Sequence, residues 1–252
     1  MLRNWARLRR ALPCFVTPRN GAQGTILPMG GPQRFSHKLQ GNIPSWISPS
    51  DNSTDRAVPN PSWSQEMLFQ FNRFMEKTKD GSWLKLPSYR SFSDHLPEGQ
   101  QKEKLRNQNF RMFLRSIDQE GMGFEYAMFL KPSEKRVAAV FQMGPYLEGP
   151  SGFAHGGAIA TILDSTVGAS VIFISRRVVT ANLNINYKSP VSLGSVILVD
   201  TRVDKIEGRK IFASGDVRST DGQTLHAEAT GLFIELQPPP SPQKETDPSS
   251  YP

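Results

Sequence analysis

Two hydrophobic patterns stand out in the second half of the chain, one helical and one extended. Residues 156–174 are apolar almost throughout, which predicts a helix about 25 Å long that protein surrounds on nearly every side. Residues 178–188 alternate between apolar and polar side chains, which predicts an antiparallel strand with one buried face. We therefore expect a sheet to surround the helix.

Further short runs rich in β-branched and aromatic residues predict the rest of this sheet. Three precede the helix, at 110–117, 123–131 and 136–143, and three follow the strand at 178–188, at 195–206, 209–218 and 223–236. Glu207-Gly208 and Asp221-Gly222 are typical of tight hairpins, so we expect the last four strands to form a meander. The pattern predicts an α+β fold in which an antiparallel β-sheet wraps around one long central helix.

The residues before this domain carry a helical pattern of their own. Apolar side chains recur at helical spacing from Trp63 to Met75. Ser62 lies three residues before Gln65, which is the spacing of a capping box. We predict a helix that begins at Ser62, ends near Lys79 and docks on the main domain.

Composition separates the other segments from the folded domain. Residues 37–61 are rich in Pro, Ser and Asn, as linkers are, and residues 80–109 are polar and rich in turn formers. Three prolines and a polar stretch after residue 237 predict a disordered tail. We expect a linker over 37–61, an N-terminal helical extension and loop over 62–109, the sheet domain over 110–236 and the tail over 237–252.

Positive charge is concentrated in the first fifty residues. They contain seven Lys and Arg and no acid, which accounts for the net charge of +7, so the rest of the chain is neutral. A neutral domain lacks the basic face that nucleic-acid binding requires, and we expect no nucleic-acid partner. In a helix, Arg3, Arg7 and Arg10 share one face, as in a mitochondrial transit peptide.

We predict that residues 1–36 are such a transit peptide, with an unstructured basic N-terminus as the alternative. The expected location is the mitochondrion, in the matrix or on the inner-membrane side, with the cytosol or plasma membrane as further locations. The chain has no apolar run near the ~20 residues that a membrane-spanning helix needs. The sequence does not test a peripheral contact with a membrane.

Several kinds of chemistry are excluded by what the sequence lacks. Cys14 is the one cysteine and lies in the predicted transit peptide, so the mature chain would have no disulfide, thiolate metal ligand or Cys nucleophile. The four histidines are isolated from other metal-ligating residues. They are His37, His95, His155 and His226. The sequence therefore predicts no metal site and no cofactor.

One short segment combines features of a catalytic site. His155-Gly156-Gly157 opens the predicted helix, where two glycines leave backbone N–H donors accessible to an oxyanion. Asp164 follows on the same helix, where a lone charge among apolar residues is costly. From the residues alone, a catalytic acid and a structural ion pair explain Asp164 about equally well.

The same segment resembles the hotdog-fold acyl-coenzyme A thioesterases. The similarity rests on the His-Gly-Gly-x6-Asp pattern and on the run from Thr180 to Lys188, and it extends over roughly residues 57–236. It implies an enzyme that hydrolyses medium- to long-chain fatty acyl-coenzyme A, as a homodimer or higher oligomer. One departure is that related small thioesterases carry an Asn shortly before the His-Gly-Gly, whereas residues 148–152 here contain no amide side chain.

The resemblance implies a role for each site residue. The Gly156 N–H would polarise the thioester carbonyl, with the Gly157 N–H as a second donor, and Asp164 of the other subunit would act as general base or nucleophile. Thr180 would orient a water, and His155 would hold the loop or assist at the carbonyl. The coenzyme A phosphates would bind at Asn186, Lys188, Arg209 and Lys210, for which a solvated charge cluster is the alternative.

The resemblance also implies a second function. Members of this group are associated with restraint of protein kinase B, so the alternative is a catalytically weak hotdog protein that binds and inhibits that kinase. Asp164 together with Thr180 favours catalysis, because a binding module has no reason to bury that carboxylate. Hydration of an enoyl thioester would require a paired Asp and His, which His155 and His226 do not provide.

Overall fold

The computed structural model describes residues 54–95, 110–175 and 177–237. The predicted transit peptide, most of the linker and nearly all of the predicted tail lie outside the described residues. The described elements are α1 (Gln65–Lys77), β1 (Leu84–Leu86), β2 (Phe124–Lys131), β3 (Arg136–Met143), α2 (Gly156–Ile172), β4 (Val178–Tyr187), β5 (Val196–Glu207), β6 (Lys210–Ser219) and β7 (Leu225–Glu235).

The seven described strands form one antiparallel sheet in the order β1-β2-β3-β5-β6-β7-β4. The predicted four-strand meander is therefore wrong. β5, β6 and β7 are consecutive, but β4 lies at the edge of the sheet beside β7, and β3 pairs with β5. Between β3 and β4 the chain forms the long helix α2, which crosses one face of the sheet to the edge where β4 lies. β4 would turn the same face toward α2 in either position, so the alternation of its residues could not distinguish them. The predicted buried face is only half-buried in this chain, at Leu183 and Ile185.

The sheet begins earlier in the chain than predicted. Residues 110–117 form no strand, and Phe113–Arg115 form a single 3₁₀ turn. The buried Arg115 holds this segment by side-chain bonds, because its Nε donates to Ser88 Oγ at 2.9 Å and its guanidinium stacks 3.9 Å above the Tyr126 ring. The first strand is instead β1, in the segment predicted as a loop.

Helix α2 packs against the inner face of the sheet through one side only. Its buried apolar residues include Ile159, Ile162 and Val167. Asp164 and Gly168 lie on its flank toward β4 and Phe233 of β7, and they are only half-buried. The predicted enclosure of this helix is therefore not completed by the described residues of a single chain.

Helix α1 docks on the outer face of the sheet, as predicted. Trp63, Phe71 and Phe74 pack with Phe129 of β2 in a buried cluster. The N-cap is Ser64, whose Oγ accepts from the Met67 N–H at 3.2 Å. The predicted cap at Ser62 is two residues too early, because the hydroxyl and the N–H of Ser62 both donate to Asn60 in the preceding turn.

The folded region includes the last residues of the predicted linker. Ala57 is fully buried, and the Asn60 side chain donates to Glu125 Oε2 at 3.0 Å. The buried Glu125 carboxylate also accepts from Trp63 Nε1 and from the Gly121 N–H. A buried acid with three donors is well compensated, and it fixes the chain before α1 to β2.

Candidate active site

The N-terminus of α2 is built around His155. The His155 backbone is extended, with φ −63° and ψ 140°, and its Nδ1 accepts from the Gly157 N–H at 2.8 Å. The imidazole thus caps the helix in the way a Ser or Asp side chain commonly does. The Gly156 N–H has no acceptor among the described residues. Of the two predicted oxyanion donors, only Gly156 is free in this conformation.

The loop before the helix holds His155 closely. The His155 N–H donates to the Leu147 carbonyl oxygen at 2.7 Å. A Cβ on Gly149 would lie 2.7 Å from the His155 Cα, closer than real contacts allow. Gly149 is therefore required for the close approach that positions this helix terminus.

Strand β4 touches the same helix terminus at its C-terminal end. The Tyr187 hydroxyl donates to the Gly156 carbonyl oxygen at 2.9 Å. Tyr187 carries no predicted function, because the alternation of residues 178–188 places it on the apolar side of the strand. One feature of the sequence distinguishes Tyr187: it is an aromatic residue at the end of a series of aliphatic residues on that side of the strand.

Asp164 and Thr180, predicted as site residues, lie together. The Thr180 hydroxyl donates to Asp164 Oδ1 at 2.9 Å. The carboxylate is half-buried on the open side of α2. Among the described residues, no cation forms an ion pair with Asp164, so the structural ion-pair explanation is not supported there.

A β-bulge in β4 brings the Thr180 hydroxyl within hydrogen-bond distance of Asp164. The pairing with β7 shifts between Thr180 and Asn182, so Thr180 lies opposite Phe233 and Asn182 lies opposite Leu232. Phe233 packs on α2, and Thr180 shares its side of the sheet. The predicted strict alternation would have placed Thr180 on the outer face with Asn182, whereas the bulge turns its hydroxyl inward.

One subunit does not bring the acid to the free amide. Asp164 lies eight residues after Gly156 on α2, which is about 12 Å along the helix axis at 1.5 Å per residue. A thioester carbonyl bound at the Gly156 N–H is therefore beyond the reach of the same subunit's carboxylate. The geometry is that of two half-sites on one chain.

Comparison with known proteins identifies the family. The thioesterase superfamily model matches residues 151–226, which include the helix terminus, Asp164 and Thr180. Acyl-coenzyme A thioesterase THEM4 of Xenopus laevis is 49% identical over 216 residues, which cover 86% of this chain and 96% of that protein. The chain belongs to the thioesterase superfamily.

Two further relatives extend this assignment. Acyl-coenzyme A thioesterase THEM4 of Rattus norvegicus is 48% identical over 192 residues, covering 73% of this chain and 83% of that protein. Acyl-coenzyme A thioesterase THEM5 of Homo sapiens is 37% identical over 218 residues, covering 84% of this chain and 88% of that protein. This chain is therefore a thioester hydrolase with the hotdog fold, and both predictions are confirmed.

The predicted coenzyme A residues of this thioesterase fall into two separate groups. Lys188 Nζ lies 2.9 Å from Glu228 Oε1, and this hydrogen bond holds the pKa of the Glu228 carboxyl below its usual value. Asn186 also reaches that oxygen, at 3.4 Å. Arg209 and Lys210 lie at the β5–β6 hairpin, beside the other end of β7. The two groups are about seven residues of strand apart, or roughly 23 Å.

A polar groove of about 1080 Å³ runs across the outer face of the sheet. Asn186 lines one end of it, and Arg73 and Arg136 line the other. Neither Asp164 nor Gly156 belongs to its lining. Asp164 and Gly156, the predicted reacting groups, thus lie on the other face, at the open edge that β4 forms.

Within the described ranges, no group of three or more His, Cys, Asp or Glu could hold a metal ion. No described helix is long and apolar enough to cross a membrane.

Proposed function

We propose that this thioesterase hydrolyses medium- to long-chain fatty acyl-coenzyme A in a homodimer whose two sites are each shared between subunits. The observation that carries the proposal is the Thr180–Asp164 hydrogen bond, which holds a carboxylate that pairs with no cation among the described residues. The names of the THEM4 and THEM5 relatives support the acyl-coenzyme A substrate. A long acyl chain would lie in an apolar slot between the subunits.

The position of β4 supports the shared site. In the part of the chain that the structure describes, no strand pairs with the outer edge of its ten residues, and such an edge is a ready template for a second strand. Thr180 marks the end of β4 next to Asp164, and Tyr187 marks the end next to Gly156. Two copies of β4, paired antiparallel about a two-fold axis near Leu183, would bring each Asp164 end to the partner's Gly156 end.

The same pairing would unite the two groups of coenzyme A residues. Asn186 and Lys188 lie at the C-terminal end of β4, whereas Arg209 and Lys210 lie near its N-terminal end, two strands away. Antiparallel pairing would place the first group of one subunit near the second group of its partner. Several phosphate charges could then be met by cations from both chains.

The proposed reaction uses the two half-sites as follows. The Gly156 N–H at the helix N-terminus stabilises the charge that develops on the carbonyl oxygen. In one route Asp164 takes a proton from a water that Thr180 orients, the water oxygen attacks the carbonyl carbon, and the C–S bond breaks. The coenzyme A thiolate then takes the proton. In the other route Asp164 attacks the carbonyl carbon itself and the C–S bond breaks. Water then hydrolyses the resulting acyl-enzyme anhydride and supplies the proton that the coenzyme A thiolate takes.

The direct test is turnover of straight-chain acyl-coenzyme A esters from acetyl to stearoyl by the full-length chain. We expect the highest kcat/KM with medium to long chains. Asp164→Asn should lower kcat by about 10²- to 10⁴-fold, because the amide keeps the Thr180 bond but takes no proton. Asp80→Asn is the matched control, since that exposed carboxylate lies in the loop after α1.

Full activity in Asp164→Asn would contradict the proposed role of the acid. Absence of turnover with every ester, with acyl-coenzyme A still bound, would favour the alternative function, a regulatory inhibitor of protein kinase B. The mitochondrial location is part of the proposal and rests on the basic residues 1–36. Import of a reporter fused to those residues tests it, and a cytosolic reporter would contradict it.

A further inference from the structure

A hydrogen-bonded chain crosses the first peptide group of α2. The Tyr187 hydroxyl donates to the Gly156 carbonyl oxygen at 2.9 Å, and the N–H of the same peptide group, which belongs to Gly157, donates to His155 Nδ1 at 2.8 Å. The peptide group therefore accepts on one side and donates on the other. Such bonds strengthen one another, because each polarises the group between them.

This chain fixes the position of a proton on the imidazole. Since Nδ1 of His155 accepts a hydrogen bond, the neutral ring carries its proton on Nε2. The His155 side chain is exposed, and its Nε2 has no partner among the described residues. The ring therefore offers a free N–H donor on the residue that directly precedes Gly156.

The site needs such a donor. The Gly157 N–H is already used by the cap, and residues 148–152 provide no amide side chain. We propose that Tyr187 is a positioning residue for thioester hydrolysis, which acts through the Gly156–Gly157 peptide to hold His155 as the Nε2–H tautomer, so that His155 gives the carbonyl oxygen its second donor. This inference rests on the proposed function.

Paired substitutions separate this role from helix capping. The Oδ1 of an asparagine can accept the Gly157 N–H as Nδ1 does, so His155→Asn keeps the cap but removes the Nε2–H donor. We expect kcat to fall about 100-fold, with KM and the thermal midpoint nearly unchanged. His155→Asn with wild-type kcat would overturn the inference.

Tyr187→Phe removes only the hydroxyl. We expect kcat to fall roughly fivefold, as for the loss of one neutral hydrogen bond, with little change in KM. In the His155→Asn background the same change should have no further effect, because Tyr187 acts through His155. Independent, multiplicative losses in the double variant would overturn the inference. Tyr146→Phe is the matched control, since among the described residues its exposed hydroxyl bonds only to Gln119.

A spectroscopic measurement tests the tautomer without kinetics. Two-bond ¹H–¹⁵N correlations distinguish the Nε2–H from the Nδ1–H form of a histidine, and the His155→Asn spectrum identifies which signals belong to His155. We expect the Nε2–H form in the wild type and a mixture of tautomers in Tyr187→Phe. An Nδ1–H form in the wild type would overturn the inference. Loss of activity in Asp164→Asn alongside full activity in His155→Asn would leave the proposed function standing and remove only this inference.

Discussion

The outer face of the sheet beneath α1 and the open edge at β4 differ in how far their side chains are buried within one chain. Under α1, the rings of Phe74 and Phe129 stack with centroids 5.0 Å apart, and Phe74 is only 6% exposed. At the β4 edge, Val179 and Tyr187 remain 46% and 55% exposed. The region beneath α1 is therefore a buried core within one chain. At the β4 edge the polar groups are hydrogen-bonded, but apolar side chains are exposed.

This difference indicates a division of labour between the two regions. The aromatic cluster under α1 fixes β2 and β3 and contains none of the proposed reacting groups. The edge carries the proposed acid, the free amide and their partners, and the proposed pairing with a second subunit would cover it. Substitutions under α1 should therefore lower stability alone, and substitutions at the edge should lower turnover alone.

Phe74→Ala should have the largest effect and should be confined to stability. Loss of the buried ring is expected to lower the free energy of unfolding by about 3–5 kcal/mol, because the cavity cannot fully collapse among the neighbouring rings. The kcat of the remaining folded protein should stay near that of the wild type. Denaturant unfolding and kinetics on the same preparation check both.

Phe69→Ala is the control for Phe74→Ala, because Phe69 lies on the same helix but is 60% exposed. Its free energy of unfolding should change by less than about 1 kcal/mol. A large fall in kcat in folded Phe74→Ala would show that the two regions are coupled.

Gly156→Pro should have the next largest effect and should be confined to turnover. Proline at the first helical position removes the N–H without breaking the helix, and the extended His155 backbone suits a following proline. We expect kcat to fall about 10²- to 10³-fold with little loss of stability. Gly156→Ala keeps the N–H, and its Cβ would lie 3.7 Å from the Tyr187 ring, an ordinary contact.

The alanine variant should therefore retain kcat within about threefold of the wild type, whereas the proline variant should not. Equal activity of the two variants would show that the Gly156 N–H does not act on the carbonyl.

Thr180→Val should have the smallest effect of the three. The methyl group that replaces the hydroxyl cannot donate to Asp164, and kcat is expected to fall by roughly tenfold. Thr180→Ser keeps the donor and should stay close to wild type in kcat. If valine and serine gave the same kcat, the hydroxyl would have no part in turnover.

Local patterns in the sequence predicted an element best where the residues of that element alone determine its bounds. The range predicted for β3, 136–143, matches its bounds, and α2 begins at Gly156 as the His-Gly-Gly segment indicated. The position of β4 depends on pairing between distant segments, which alternation does not encode. The cap of α1 at Ser64 rather than Ser62 depended on Asn60 holding Ser62 in a turn.

The sequence predicted which residues belong to the candidate site better than it predicted how they are arranged. The glycines at a helix start and the acid on an apolar helix were visible as types of residue. The bulge that turns Thr180 toward Asp164 left no signal in the alternation, since Ala181 suits either face of a strand. The bond from Tyr187 to Gly156 joins residues 31 positions apart and is likewise invisible to local pattern.

In the proposed dimer each site combines Asp164 of one subunit with Gly156 of the other. The most direct measurement is the kcat of purified mixed dimers that contain one Asp164→Asn subunit and one Gly156→Pro subunit, carrying different affinity tags. Each substitution alone should inactivate its homodimer. In the mixed dimer one site would receive Asp164 and Gly156 from the two unaltered positions, so we predict about half of the wild-type kcat per dimer. A mixed dimer as inactive as either parent would contradict the shared site.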